Sequence, residues 1–321
     1  MLRDLQMPND PLGFFARMNA ISLMLITPEY YRVRRLRSAK ASEIDYEDSQ
    51  FQMRTERMEL DGLNVRFAQS RKENRPTVLF LSPLPQSILC YNAVWAQLEE
   101  ESDLIAVDLP GFGGSDGNSN HMLFAAQSAF LEKFIDALGL SNVHIVAPDI
   151  AMPIAMHYAI HREHKAKSLL IGDGPGILPS ADGSLIRKIV YSGFWRTMVR
   201  INGAKTFLAG ALQLGYLHYR PTKNELDDYV SSYLGRIGQI TQHFKQYPEG
   251  CQDLTANIKN LKVPVQVFWA DEDAFLKVEN AHQLHDCLSN STLHVFQNCG
   301  HFCYQDKSTE FADLVRKWIA D

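Results

Sequence analysis

The chain has 321 residues, 45% hydrophobic and 21% charged, an ordinary globular mix that excludes a disordered tail protein, a collagen and a coiled-coil rod. Lysine plus arginine number 32 and aspartate plus glutamate 37, a net charge of −5, so nothing global points to a nucleic-acid partner. Five cysteines are too few for a secreted disulfide scaffold and read as reduced thiols in a cytoplasmic protein.

No stretch reaches the ~20 apolar residues that span a bilayer. The nearest runs from Leu12 to Ile26, interrupted by Arg17 and Asn19. It does not read as a signal peptide, because Asp4 and Asp10 weaken a positive start and no small-x-small site follows Ile26. Arg32, Arg34, Arg35, Arg37 and Lys40 come next, then Glu43, Asp45, Glu47 and Asp48. An apolar segment before a basic one is the pattern of an interfacial anchor, which implies peripheral membrane contact. The other reading is a helix packed over the domain, or on a partner subunit in a homodimer. The acidic block favours packing, because it cancels much of the basic charge.

From residue 51 the pattern turns to short β-rich runs. Phe51 to Leu60, a turn at Asp61-Gly62, and Leu63 to Gln69 predict a hairpin. Six nearly continuous apolar runs follow: Thr77–Ser82, Asp103–Asp108, Val143–Ala147, Ser168–Gly172, Val263–Trp269 and Thr292–Phe296. Such runs suit strands buried on both faces of a parallel sheet. Helical stretches lie between them, at Ile88–Glu100, Phe124–Leu138, Ala151–His161, Val278–Cys287 and Thr309–Ile319. The alternation predicts an α/β fold, a mostly parallel eight-stranded sheet with helices on both faces. Residues 178–255 hold no good strand and read as a helical cap, inserted where ligands bind in such sheets. The predicted organisation is an N-terminal helical arm over 1–50, a core of 51–177 and 256–321, and the cap between.

Two segments compete for a nucleophile. Gly113-Gly-Ser-Asp-Gly117 matches G-x-S-x-G with Ser115 central. That motif carries chemistry only where a strand turns sharply into a helix. Here loop residues flank it on both sides. Val143 to Ala159 has the required context, an apolar strand, a short turn and an apolar helix. Its elbow is Ala147-Pro148-Asp149-Ile150-Ala151. Small residues two before and two after the nucleophile let the backbones approach. The residue held out at the top is Asp149.

From about residue 55 onward the chain resembles the α/β-hydrolase fold superfamily. Asp108-Leu-Pro-Gly-Phe-Gly-Gly-Ser115 is similar to its loop after the fourth strand. Trp269-Ala-Asp-Glu-Asp-Ala-Phe275 resembles its W-G-x-x-D-x-F loop, and Asn298-Cys-Gly-His-Phe302 its G-H-F loop. An aspartate at the elbow is similar to the epoxide hydrolase and haloalkane dehalogenase branch. The resemblance implies Asp149 as nucleophile, His301 as base for hydrolysis of the resulting ester, and Asp273 as the acid that orients His301. Asp173, at the end of the sixth strand, is the alternative acid. Oxyanion donors would be the backbone N–H groups of Leu84 and Ile150. Leu84 lies in Ser82-Pro-Leu-Pro85, where the family usually shows H-G-x-P. No cofactor is implied, and the substrate would be a small hydrophobic molecule.

The branches differ in how they meet the leaving group. The dehalogenases resemble one another in a tryptophan after the nucleophile, where this chain has Ile150, a residue without a side-chain donor. Epoxide hydrolases use cap tyrosines as proton donors. Tyr191 and Tyr233 are the candidates by rough distance from the catalytic positions, with Trp195 as a pocket residue. The favoured reading is an epoxide-hydrolase-like enzyme. The alternatives are a dehalogenase-like enzyme, a lyase like the β-lactone decarboxylases, and a non-catalytic ligand-binding scaffold. His157, His161 and His164 share helical spacing, and Cys299 and Cys303 flank His301. Neither group is read as a metal site, the first because it lies at a helix end, the second because the loop fit explains it.

Overall fold

A computed structural model describes residues 10–39 and 53–320. Asp4, Lys40, the acidic block Glu43, Asp45, Glu47 and Asp48, and the start of the predicted hairpin at Phe51 lie outside them. Among the described residues eight strands form one sheet, in the order β1-β2-β4-β3-β5-β6-β7-β8. The hairpin pairs β1 (Thr55–Leu60) with β2 (Leu63–Ser70). Its turn has Asp61 at φ 53° and Gly62 at φ 73°. Two left-handed residues match the twist of the flanking strands, which is why Asp-Gly sits there. β2 runs antiparallel to β4 (Asp103–Val107). β3 (Thr77–Leu81), β5 (Val143–Pro148), β6 (Ala166–Gly172), β7 (Val265–Ala270) and β8 (Ser291–Phe296) are all parallel to their neighbours. β4, β5 and β7 are buried at every residue, as their unbroken apolar sequences require.

The covering helices pack in groups: α3 (Asn92–Leu98) on α12 (Ser308–Ala320), and α4 (Phe124–Ala137) on α5 (Ala151–His161). The stretch expected as one helix from Ile88 to Glu100 is split. A 3₁₀ turn over Ile88–Tyr91 precedes α3, and the Ser87 hydroxyl caps it by accepting the Leu89 N–H. The last covering helices are α10 (Glu279–Cys287) and the short α11 (Cys303–Asp306) that follows the His301 loop.

Residues 178–255 form α6 (Ser184–Tyr191), α7 (Gly193–Gly215), α8 (Lys223–Tyr233) and most of α9 (Ile237–Asn257). α7 kinks at Gly203, whose φ of 75° only glycine takes without strain. α8 is pinned to the sheet by Arg66, which pairs with Asp108 and Asp228, each at 2.5 Å. Burial works against the charge on that guanidinium, but the two carboxylates outweigh it and its pKa is raised above its ordinary value.

The arm is two helices rather than one, and Arg32, Arg34 and Arg35 on the second are exposed. α1 (Phe14–Met24) packs on α7, and α2 (Pro28–Ala39) begins at a proline suited to a first helical position. Gly210 of α7 faces Ala20 and Met24 of α1. Arg37 donates to the Tyr216 and Leu212 carbonyls at the end of α7. The Glu29 carboxylate accepts the Ser184 N–H at 2.9 Å and so caps α6. The arm is thereby tied to α6 and α7 at both ends. No helix among the described residues is long and apolar enough to cross a membrane.

Candidate active site

The elbow forms where β5 ends. Asp149 has φ 52°, a strained region for a residue with a side chain. Its N–H donates to the Gly172 carbonyl at 2.9 Å. Gly174 completes the turn, because a Cβ there would stand 2.2 Å from the Asp149 carbonyl oxygen. Ala147 and Ala151 are fully buried on either side. The carboxylate is thus held out at the carboxyl edge of the sheet.

Its two oxygens have different surroundings. Oδ2 accepts the Leu84 N–H at 2.6 Å. Oδ1 lies 3.6 Å from His301 Nε2, too far for a normal hydrogen bond. Ile150 leads into α5, where the first N–H groups of a helix have no intrahelical partner and favour negative charge. The predicted donors Leu84 and Ile150 therefore flank Asp149.

Asp273, not Asp173, touches the imidazole. Its Oδ2 lies 2.7 Å from His301 Nδ1. Its Oδ1 accepts the Phe275 and Leu276 N–H groups at 2.7 and 3.1 Å. With three partners on one carboxylate, the tautomer and the ring plane are fixed. Burial works against the imidazolium, but Asp273 and Asp149 outweigh it and His301 sits well above its ordinary pKa. Asp173 lies beneath them, fully buried, with Oδ1 on the Ala270 N–H at 2.9 Å. Burial, reinforced by Asp273, pushes its pKa well up.

Above these groups opens a largely apolar cavity. Leu84, Asp149 and His301 form its floor. Leu185 and Ile189 of α6, Val199 of α7 and Phe244 of α9 line it from the cap. Ala20, Leu23 and Met24 of α1 also line it, so the arm is a wall of the site.

Three cap residues expected at the site lie elsewhere. Tyr191 is 57% exposed and does not line the cavity. Trp195 lies under the Lys188 ammonium, 5.1 Å from its ring, and is likewise outside. Tyr233 is fully buried, but its hydroxyl donates to the Gln86 carbonyl at 2.8 Å and accepts the Gly113 N–H at 3.2 Å. It braces the loop that carries Leu84. The tyrosine that does line the cavity is Tyr247, on the same face of α9 as Phe244. Among the described residues its hydroxyl has no hydrogen-bond partner. Burial, then the nearby Asp149 charge, raises that phenol well above its ordinary range and keeps it protonated. Its sequence signal was the i, i+3 pairing with Phe244, legible only once the helix face is known.

Ser115 is buried, and its Oγ accepts the Arg66 N–H at 2.8 Å, so it serves the loop after β4. His157 and His161 do come together with Asp253, their ligand atoms within 4.8 Å, while His164 stands apart from that group. Cys299 and Cys303 are buried thiols, and Cys299 Sγ contacts the Gly300 carbonyl.

The sequence profile of the alpha/beta hydrolase fold family matches residues 76–308. The chain belongs to that family. It is 23% identical over 284 residues to the monoacylglycerol lipase ABHD6 of Mus musculus, covering 81% of this chain and 83% of that protein. It is also 23% identical over 233 residues to a 2-hydroxy-6-oxononadienedioate/2-hydroxy-6-oxononatrienedioate hydrolase of Burkholderia vietnamiensis, covering 67% of this chain and 76% of that protein. Among solved structures, a membrane phospholipase A described as a bacterial virulence factor superposes with TM-score 0.69 at 19% identity, over 100% of this chain and 98% of that one. The haloalkane dehalogenase DbeA of Bradyrhizobium elkani gives TM-score 0.70 at 20% identity, over 84% and 98%. The chain is thus a hydrolase-fold protein with relatives of several chemistries. It departs from the family at Ser82-Pro83, and the departure has its own support. The Ser82 hydroxyl accepts the Leu109 N–H at 3.0 Å. Gln86 ties the same loop to Tyr216, Tyr304 and Gln305 through buried side-chain hydrogen bonds.

Proposed function

We propose that the protein is a hydrolase that forms an ester between Asp149 and a small apolar electrophile, most consistent with an epoxide. The observation that carries this reading is the unequal pair of oxygens on Asp149. Oδ2 is held by the Leu84 N–H, and Oδ1 faces the cavity beside His301. Oδ1 attacks a ring carbon of the epoxide, the C–O bond breaks, and Tyr247 gives its hydroxyl proton to the departing oxygen. Oδ2 becomes the carbonyl oxygen of the ester. His301 then takes a proton from water, and the hydroxide adds to Cγ. The negative charge collects on Oδ2, where the Leu84 and Ile150 N–H groups stabilise it. The Cγ–Oδ1 bond breaks, the departing oxygen, the former Oδ1, takes the proton from His301 to give the diol, and the water oxygen stays on Asp149, whose carboxyl proton returns to His301.

The charge balance supports that order. While Asp149 is ionised, two carboxylates hold a proton on His301. Ester formation removes one of those charges, the imidazolium gives its proton back to the Tyr247 phenolate, and the neutral imidazole is then a base when a base is needed. Halide stabilisation by an indole has no support here. None of the four tryptophans lines the cavity, and the Trp269 indole N–H donates to the Leu276 carbonyl. A serine-ester mechanism lacks a hydroxyl at the elbow.

A single turnover in ¹⁸O-water tests the proposal. With enzyme in excess over an epoxide such as styrene oxide, the diol should carry unlabelled oxygen and the Asp149 peptide should gain the label. Label in the first-turnover diol would mean direct attack by water and would overturn the ester.

A further inference from the structure

The helices that wall the cavity also have an outer face, and its composition is unlike the rest of the surface. On the arm, Phe14, Phe15, Leu25 and Ile26 are exposed, Phe15 by 82%. On the cap, Tyr191, Phe194 and Ile201 are exposed, Ile201 by 71%. Exposed and cavity-lining residues interleave on the same elements: Leu23 lines the cavity beside Leu25, and Val199 and Asn202 line it around Ile201. The two groups belong to one surface, since α1 packs on α7 and Glu29 joins the start of α2 to Ser184 of α6. An apolar patch of that extent marks an interaction site.

Its charge says what it meets. Residues 183–224 hold seven Lys or Arg and no Asp or Glu, in a chain whose net charge is −5. Five of the seven, Arg187, Lys188, Arg196, Arg200 and Lys205, are on α6 and α7. Arg187, Arg200 and Lys205 are exposed; Arg187 acts on the Asp182 carboxylate, and among the described residues no salt bridge joins Arg200 or Lys205 to a carboxylate. Large apolar side chains flanked by exposed cations are the composition of a surface that inserts at the headgroup level of an anionic bilayer. A second copy of the chain would set these cations against their own kind.

The geometry points to a membrane-docking face built jointly by α1, the α1–α2 turn, α6 and α7, with an anionic lipid bilayer as its partner. The face includes the cap, so the arm alone does not make it. It places the outer walls of the cavity against the lipid, and an apolar substrate enters from there. The inference stands independently of the reaction at Asp149.

Vesicle co-sedimentation of the full chain tests it, with phosphatidylcholine vesicles with and without phosphatidylserine, at low and high salt. Binding should require phosphatidylserine and fall at high salt. The double variant Arg200→Glu/Lys205→Glu should bind about tenfold more weakly or worse. Phe194→Ser/Ile201→Ser, both on the solvent side of α7, should lose binding with the thermal transition unchanged. Trp195 lies next to Phe194, so its emission should be quenched by brominated lipid, and Trp195→Phe should remove that signal. Absence of binding, or equal binding by all variants, would overturn the inference. So would a wild-type dimer in light scattering that the same apolar substitutions dissociate, since that assigns the face to a second copy.

Discussion

Replacing Tyr247 and Tyr233 by phenylalanine separates chemistry from scaffolding. Tyr247 lines the cavity, and its hydroxyl makes no hydrogen bond among the described residues. Its removal leaves nothing unpaired, so stability should change by no more than about 0.5 kcal/mol. Turnover of an epoxide should fall by about 10²–10⁴-fold, the usual contribution of a positioned general acid. The Tyr233 hydroxyl bridges the Gln86 carbonyl and the Gly113 N–H inside the protein. Its loss orphans two buried backbone groups, at about 1–3 kcal/mol each. For a chain of this size that is a fall in Tm of roughly 3–9 °C. The assay pairs differential scanning fluorimetry with single-turnover formation of the ester. The reasoning fails if Tyr247→Phe forms ester at the wild-type rate, or if Tyr233→Phe leaves Tm unchanged.

Two further outcomes follow from the same geometry. Asp273 is the nearest counter-charge to His301, so Asp273→Asn should lower the imidazole pKa, read by NMR titration of the ring. His301 is raised in the folded state, so its stabilising contribution is complete below the unfolded value and is lost as pH rises through the folded one. Asp273→Asn should flatten that alkaline loss, and an unchanged titration would place the controlling charge elsewhere. Gly174→Ala should abolish activity or folding, because its Cβ would meet the Asp149 carbonyl oxygen at 2.2 Å. A fully active Gly174→Ala would show that the elbow has more freedom than described.

The strands were legible because a parallel sheet buried on both faces leaves an unbroken apolar run, and all six such runs lie within about two residues of β3 to β8. The elbow was legible for a related reason. A strand, two small residues and an apolar helix around Asp149 fix a backbone shape, and the φ of 52° is that shape. The cap was not. Choosing Tyr191 and Tyr233 relied on rough distance, whereas helix rotation decides which face meets the cavity, and that is set by tertiary packing. Tyr233 looked like a donor because nothing in the sequence shows Gln86 or Gly113 reaching its hydroxyl. Packing of the arm was legible from its apolar stripe, but the sequence does not show which element it packs on. Ala20 and Gly210, which face each other where α1 packs on α7, lie far apart in the chain.

The central claim is a covalent ester on Asp149, and intact-mass analysis of His301→Gln tests it most directly. Without the base, the ester forms but its hydrolysis stalls. The variant incubated with an epoxide should gain the mass of one substrate molecule, located on the peptide containing Asp149, and Asp149→Asn/His301→Gln should gain none. An unmodified His301→Gln protein under conditions where the wild type turns over the same epoxide would contradict the account.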